Sequence, residues 1–271
     1  MAEQFAADWL SLREHADHLA RETTDLSQLN QYLPMDRTVE ILDLGTGTGS
    51  NLRYLAQRLP RANQRWVLLD HDAQLLEQAR ASVHPSDLNS LSIDVRYQQT
   101  DLADFAHYPQ SVDLVTASAL LDLVSPAWID ALVDYAQRHH APVLVALSYD
   151  GRIDFDPALA DDQCVRDWVN QHQRGLKDMG SALGPDAGDY AKQAFTKAGY
   201  TVQTSHADWQ LSADQMALKR ATMAGWHQAA LAIAPDQAER LDHWLQQRIE
   251  RLNQTTLTVG HSDLLALPCP D

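Results

Sequence analysis

An apolar run from Val39 to Leu44 stops at three glycines in alternate positions, Gly45, Gly47 and Gly49. Leu52, Leu55, Ala56 and Leu59 follow at three- and four-residue spacing, the period of a helix. The stretch predicts a buried strand, a tight turn and a helix start, which commits this part of the chain to an α/β architecture. Glycine has no Cβ, so such a turn brings backbone N–H groups against a ligand at the helix N-terminus. A turn without a ligand is the alternative, although three glycines in five residues weaken a fold that makes no use of them. Asp43 stands at the carboxyl end of the strand, where open α/β sheets bind ligands. A carboxylate there repels a pyrophosphate and attracts a cationic amino group. The loop therefore suits an amino-acid-bearing nucleoside better than a dinucleotide.

The segments that follow keep the same rhythm. Arg65–Asp70 reads as a second strand, with Asp72 as N-cap of a helix from about Ala73 to Val83. Ser92–Gln99 alternates in polarity as a third strand and leads into Thr100-Asp101-Leu102. Val112–Ser118 is a fourth, after which Ser125-Pro126 opens a helix with a cap and a first-turn proline. Pro142–Asp150 is apolar as a central parallel strand should be. Five β–α alternations argue a parallel sheet. Gly151–Asp189 breaks the rhythm: Gly151 to Pro157 is loop-like, and Asp162 to Leu176 has helical spacing. Long excursions of this kind often cover a site. A helix over Ala187–Ala198, a strand over Tyr200–Ser205, helices over Ala213–Ala234 and Pro235–Leu252, and a last strand over Thr255–Val259 complete the order. Trp226 and Trp244 are expected to pack these helices to each other or to the lid, and Trp209 to sit in the core or to reach the substrate pocket. Ahead of the first strand, Phe5–Leu29 is helical in pattern. Its Arg13, Asp17 and Arg21 form either an i,i+4 ion ladder or one face lying across the ligand site.

The run Asp43-Leu44-Gly45-Thr46-Gly47-Thr48-Gly49 resembles the first motif of class I S-adenosylmethionine-dependent methyltransferases. The resemblance extends in order through Asp70, Asp101 and the exit of the fourth strand, over about Val39 to Tyr149. It implies a Rossmann-like seven-stranded mixed sheet, order 3-2-1-4-5-7-6, with helices on both faces and helical insertions forming a lid. It also implies a single methyltransferase domain over 1–271, with an N-terminal helical cap over 1–34 and lid insertions at 151–189 and 212–253. The cofactor would be S-adenosyl-L-methionine, and the product S-adenosyl-L-homocysteine. Asp43, Gly45, Thr46, Gly47, Gly49 and Asn51 would cradle its amino-acid end. Arg21 or Arg13 would pair with the methionine carboxylate. Asp70, 25 residues beyond Gly45, would bind the ribose hydroxyls. Asp101 would accept from the adenine amino group, with Leu102 packed on the ring. His71 either flanks the adenine or is an exposed loop residue. Ser118 and Leu120 would line the cofactor at the end of the fourth strand. Leu121, Arg13, Asp17, Asp150, Arg174 and Tyr190 are the substrate contacts so implied. Asp122 and His172 are candidate bases, as are His15 and His18, and Tyr149 is a group that orients an acceptor. The Asn/Asp-Pro-Pro-Tyr/Phe motif of many nucleobase and amide methyltransferases is absent, which argues against DNA or glutamine-amide methylation.

Composition narrows the acceptor. Against 21 basic residues stand 37 acidic ones, a formal charge of −16, which disfavours nucleic acid and anionic membrane as partners. Cys164 and Cys269 lie too far apart in sequence for a disulfide framework or metal knuckle. Neither His15/His18 nor His139/His140 has a convincing metal spacing, so no metal is expected. The start, Met-Ala-Glu-Gln-Phe, lacks a signal-peptide pattern, and no apolar run approaches the ~20 residues of a membrane span. The expectation is a cytoplasmic monomer or homodimer carrying out metal-independent O- or N-methylation of a small molecule by in-line displacement. Two rivals stay open. Gly45-x-Gly47-x-x-Ser50 departs from the NAD(P) oxidoreductase fingerprint only at its third glycine. A methyltransferase-like protein that binds without catalysis fits the same residues.

Overall fold

The structure is a computed structural model and describes residues 7–22, 24–59, 61–83 and 91–269. Four short strands, β1 (Val39–Leu44), β2 (Asn63–Asp70), β3 (Ser92–Gln99) and β4 (Leu114–Ser118), join the longer β5 (Val143–Asp156) in a parallel array. After a small hairpin, β6 (Leu176–Lys177) and β7 (Gly180–Ser181), come β8 (Thr201–His206), β9 (Trp209–Leu211) and β10 (Thr256–Leu267). The sheet order is β3-β2-β1-β4-β5-β10-β8, with β9 also on β10. β10 is antiparallel to its neighbours. With β8 and β10 as the sixth and seventh strands, this is the expected 3-2-1-4-5-7-6. An antiparallel strand between β5 and β8 also departs from the doubly wound order 3-2-1-4-5-6 of dinucleotide enzymes.

Nine helices are found among the described residues: α1 (Ala7–Ala20), α2 (Leu29–Tyr32), α3 (Ser50–Leu55), α4 (Ala73–Ser82), α5 (Pro126–His139), α6 (Asp162–Gln173), α7 (Ala187–Lys197), α8 (Met216–Ile233) and α9 (Ala238–Glu250). On one face of the sheet, Leu132 and Ala136 of α5 and Phe195 of α7 bury against Val115, Val143 and Val145. On the other, Leu29, Leu52 and Leu55 bury against Ile41, Leu68, Leu114 and Leu144. The central strands β1 and β4 are thus covered on both faces, which is why their residues are buried almost without alternation, whereas the edge strand β3 alternates. Local signals act as expected: Asp72 accepts the N–H groups of Gln74 and Leu75, and Ser125 that of Trp128 with Pro126 behind it.

Three expectations need correction. Phe5, the expected start of the first helix, lies outside the described residues. That helix ends at Ala20, and Leu29 belongs to a separate turn. The ion ladder is half formed: Arg13 pairs with Asp17 at 2.9 Å, whereas Arg21 turns inward to Asn51. Third, Gly151–Pro157 is no loop before a lid. β5 runs on to Asp156 and pairs with β10 from Val143↔Ala266 to Asp156↔Thr256. Ile153 and Phe155 point inward while Asp154 and Asp156 stay exposed, the alternation of a half-buried strand. Likewise β10 does not stop at Val259. Register shifts at Val259/His261 and Ser262/Leu264 let it continue past a bend. Gly260 lies at that bend, where a Cβ would collide with Asp150 and Arg152.

The extension carries its own apolar cluster. Phe155, Val259 and Trp209 of the sheet meet Val165 and Val169 of α6, Leu218 and Met223 of α8, and Leu241 and Trp244 of α9. Two fully buried cations tie this block together. The Lys219 ammonium donates to the carbonyls of Leu252 and Thr255, both at 2.7 Å. The Arg248 guanidinium pairs with Asp162 and donates to the Pro157 carbonyl at 3.0 Å. Much of the expected lid is therefore packed structure, and what overhangs the sheet edge is the β6–β7 hairpin.

Candidate active site

The glycine loop is held by its own backbone and by β2. Gly45, Gly47 and Gly49 all have φ between +56° and +80°, which a side chain adopts only with strain. The Thr46 N–H donates to the Leu69 carbonyl, and the Gly47 N–H to Asp70 Oδ2 at 2.8 Å. Asp70 Oδ1 accepts the Asp72 N–H at 2.9 Å. One carboxylate thus splices the loop to the end of β2 and still has lone pairs left for a ligand. Close packing closes the loop from above: a Cβ on Gly47 would meet Leu10 of α1 at 3.2 Å, and one on Gly45 would meet Leu120 at 3.1 Å.

A cleft of about 1100 Å³ of empty space, mouth included, opens over this loop. Gly45, Thr46, Gly47, Asn51, Asp70 and His71 form its floor and one wall; Leu102, Ser118, Ala119 and Leu120 form the other. Arg13 and Asp17 of α1 and Asp178 and Met179 of the hairpin overhang it. Gly49 lies within the turn, where its N–H donates to the Thr46 carbonyl, rather than in the wall. Leu102 is fixed from behind, its carbonyl accepting from Tyr108 at 2.8 Å and Trp128 at 2.7 Å. Asp101 is exposed, receives the Ala103 N–H, and faces an adjoining groove shared with His71, Leu102 and Met179.

Asp43 and Arg21 sit differently from expectation. Asp43 is fully buried behind the loop, where Asn51 donates to its Oδ1 at 2.6 Å, and Asn51 in turn accepts from Arg21 at 2.9 Å. Neither lines the cleft. Burial pushes the Asp43 carboxyl up to about 6, against the pull of Thr46, Asn51 and Arg21. Asp43 Oδ2 and the Thr46 hydroxyl are buried with no hydrogen-bond partner among the described residues. Of the two, only Thr46 lines the cleft, so only its hydroxyl is placed to meet a ligand.

A second cavity, about 640 Å³ of empty space, joins the first at Arg13, Ala119 and Leu123, which line both. Ala119 and, deeper in, Leu147 hold φ of +53° and +57°, strained values for residues with side chains. Asp122 and Tyr149 face this cavity, as do Trp9, Trp209, Trp226, Thr222, Gln173 and His261. Tyr149 donates its hydroxyl to Asn170 at 2.7 Å, and burial pushes its pKa well above the usual tyrosine range. Several expected substrate residues are elsewhere. His172 lines neither cavity, its neighbour Gln173 taking that place one position along α6. Arg174 is engaged with Asp186, Tyr190 with Asp130, and Asp150 with Arg152. Leu121 is buried in the core beneath the fourth-strand exit. Conversely, Trp209 and Trp226 are cavity walls, and His261 carried no motif that marked it. Asp150, His206 and Asp208 place ligand atoms within 4.8 Å of one another, but Arg152 bonds to all three, so a cation already occupies the group.

The two buried titratable groups predict opposing pH dependences. Burial, reinforced by Arg13, lowers the His261 pKa to about 3. The unfolded imidazole takes up a proton near 6.5 and the folded one does not, so this group costs about 1.4 kcal/mol for each pH unit below 6.5. Asp43 acts in reverse. Folded, it keeps its proton to about 6, while the unfolded carboxyl ionises from 3.8, so its contribution falls as pH rises between those values. Urea unfolding at pH 7, 6 and 5 is expected to show His261→Gln gaining on the wild type as pH drops. A stability difference that stays constant with pH would show that His261 is not held neutral.

An open mixed sheet in this order, with a glycine loop after β1 and a carboxylate after β2, defines the class I methyltransferase fold. Residues 41–142, from β1 to the threshold of β5, match the family model described as Methyltransferase domain. That segment of the chain is a methyltransferase domain. Among solved structures, cyclopropane synthase MmaA2 from Mycobacterium tuberculosis superposes with a TM-score of 0.51 at 14% identity, covering 97% of this chain and 94% of that one. Mycolic acid cyclopropane synthase CmaA1, complexed with SAH and CTAB, gives 0.51 at 12% identity over 96% and 94%. A SAM-dependent methyltransferase from Thiobacillus denitrificans, in complex with S-adenosyl-L-homocysteine, gives 0.47 at 18% over 98% and 100%. At such identities the likeness speaks for the fold. No curated protein matches the chain. No helix among the described residues is long and apolar enough to cross a membrane.

Proposed function

We propose that this protein methylates a small-molecule acceptor, on oxygen or nitrogen, held in the second cavity. The observation that carries the reading is the junction of the two cavities at Arg13, Ala119 and Leu123. S-adenosylmethionine supplies an electrophilic methyl group on a sulfonium. The task left to the chain is to hold both reactants in line and exclude water. Asp70 would take the ribose hydroxyls, Leu102 and His71 the base, and the backbone from Gly45 to Gly49 the amino-acid end. Ser118 and Leu120 would support it at the fourth-strand exit. Asp122, buried in the second cavity, is the group placed to receive the acceptor's proton. We read 1–271 as one methyltransferase domain, with α1 and the β6–β7 hairpin as its cover. A metal-independent displacement is part of the same reading.

Calorimetric titration with S-adenosylmethionine, S-adenosylhomocysteine and NAD tests it. Micromolar binding of both adenosyl ligands, with none of NAD, is the expected result. Methyl transfer from labelled cofactor to a metabolite panel would then identify the acceptor. NAD binding alone would overturn the reading in favour of an oxidoreductase. Tight cofactor binding with no transfer to any small molecule would favour a binding protein.

A further inference from the structure

We infer that the acceptor is a neutral, planar molecule bearing a hydrogen-bond donor, and that His261 is the residue that reads that donor. The inference rests on the second cavity being the acceptor pocket. Four aromatic side chains, Trp9, Tyr149, Trp209 and Trp226, stand in its walls, and two of them have their polar handles engaged: Tyr149 donates to Asn170 at 2.7 Å, and Trp209 donates to Asp17 at 2.9 Å. His261, 5% exposed, is oriented by its Nδ1, which lies 3.0 Å from the Val259 carbonyl and must donate to it. The other nitrogen, Nε2, is left as the acceptor, in a residue that lines the cavity. Thr222, in the same wall, has a buried hydroxyl without a partner among the described residues, which is costly unless a ligand completes it.

Charge decides against the obvious rival. Aromatic walls beside a buried carboxylate, Asp122, usually suggest a cage for a substrate ammonium. Here the guanidinium of Arg13 already lies 4.9 Å from the Trp209 ring centroid and 5.9 Å from that of Trp9. It occupies the space over Trp9 and Trp209 that a substrate cation would use. Asp17 holds it there through two hydrogen bonds, so it is not free to pair with an anionic acceptor. The aromatic walls and the neutral acceptor nitrogen of His261, with the Thr222 hydroxyl beside them, suit a planar molecule with an O–H or N–H to give.

Three near-isosteric probes separate these readings: 4-ethylphenol, 4-methylanisole and 4-methylbenzylammonium, titrated calorimetrically with and without saturating S-adenosylhomocysteine. The phenol is expected to bind about tenfold more tightly than the anisole, which lacks a donor, and the ammonium most weakly. His261→Leu should abolish that preference while S-adenosylhomocysteine affinity stays at the wild-type value. His261→Gln, which retains an acceptor, should restore part of it, a rescue that a purely structural role for His261 would not produce. Tightest binding of the ammonium, equal binding of phenol and anisole by the wild type, or no binding of any probe would overturn the inference. The wild-type series decides even if the leucine variant fails to fold. Failure to bind S-adenosylhomocysteine would instead strike the cofactor assignment, and probe binding without it would still judge the pocket.

Discussion

Replacing Asp70 with alanine is expected to weaken S-adenosylhomocysteine binding about a hundredfold, with only a small loss of stability. The carboxylate does two things at once. It would accept from the ribose hydroxyls, and hydrogen bonds to a charged group contribute about 1.5–3 kcal/mol each. It also holds the N–H groups of Gly47 and Asp72 at 2.8 and 2.9 Å, which fixes the loop against the end of β2. Losing both should exceed the effect of losing a single contact. Asp70→Asn keeps an acceptor for one of the amides and should fall between. Calorimetry on the three proteins gives the order directly. A wild-type dissociation constant in the alanine variant would remove Asp70 from the site.

Asp162→Ala is expected to destabilise the protein by about 3–5 kcal/mol, a large share of the 5–15 kcal/mol that holds a typical domain folded. Asp162 accepts from Arg248 through both carboxylate oxygens and from the Trp244 indole at 2.9 Å. Arg248 has no exposed surface and stacks 3.9 Å from the Phe155 ring centroid. Removing its partner leaves a guanidinium buried in the apolar block formed by β5, α6, α8 and α9. The double variant Asp162→Ala/Arg248→Met removes the stranded charge and should recover most of the loss. Urea denaturation of the four members of this cycle measures it. Equal losses for the single and double variants would mean that the charge was never the problem.

Legibility followed the range of the interactions. The glycine loop, Asp70 and the Asp72 cap were readable because strand end, turn and helix start lie within a few residues of one another, and backbone sterics allow few alternatives. The extension of β5 was hidden by Gly151 and the aspartates, which suggest a loop; Ile153 and Phe155 show period 2 only when β10 is known to lie alongside. Asp43 was recognised as part of the loop but assigned to its front. Its place behind the loop depends on Asn51 and Arg21, and Arg21 arrives from a segment whose path the local pattern does not specify.

The sequence by itself determined the five alternating strands and helices, the loop between β1 and α3, the carboxylate at the end of β2 and the acidic balance of the chain. Each of these follows from local periodicity, backbone freedom or composition. Only the tertiary structure decided the second cavity. Trp9, Asp122, Tyr149, Trp209, Thr222 and His261 come from six separate parts of the chain, joined by the bend where β5 and β10 run past the end of the sheet. The same bend buries His261 beside Arg13, and the Val259 carbonyl sets its tautomer. Burial and hydrogen-bond partners therefore gave this histidine its character, because nothing in its neighbours along the chain distinguishes it from an ordinary one.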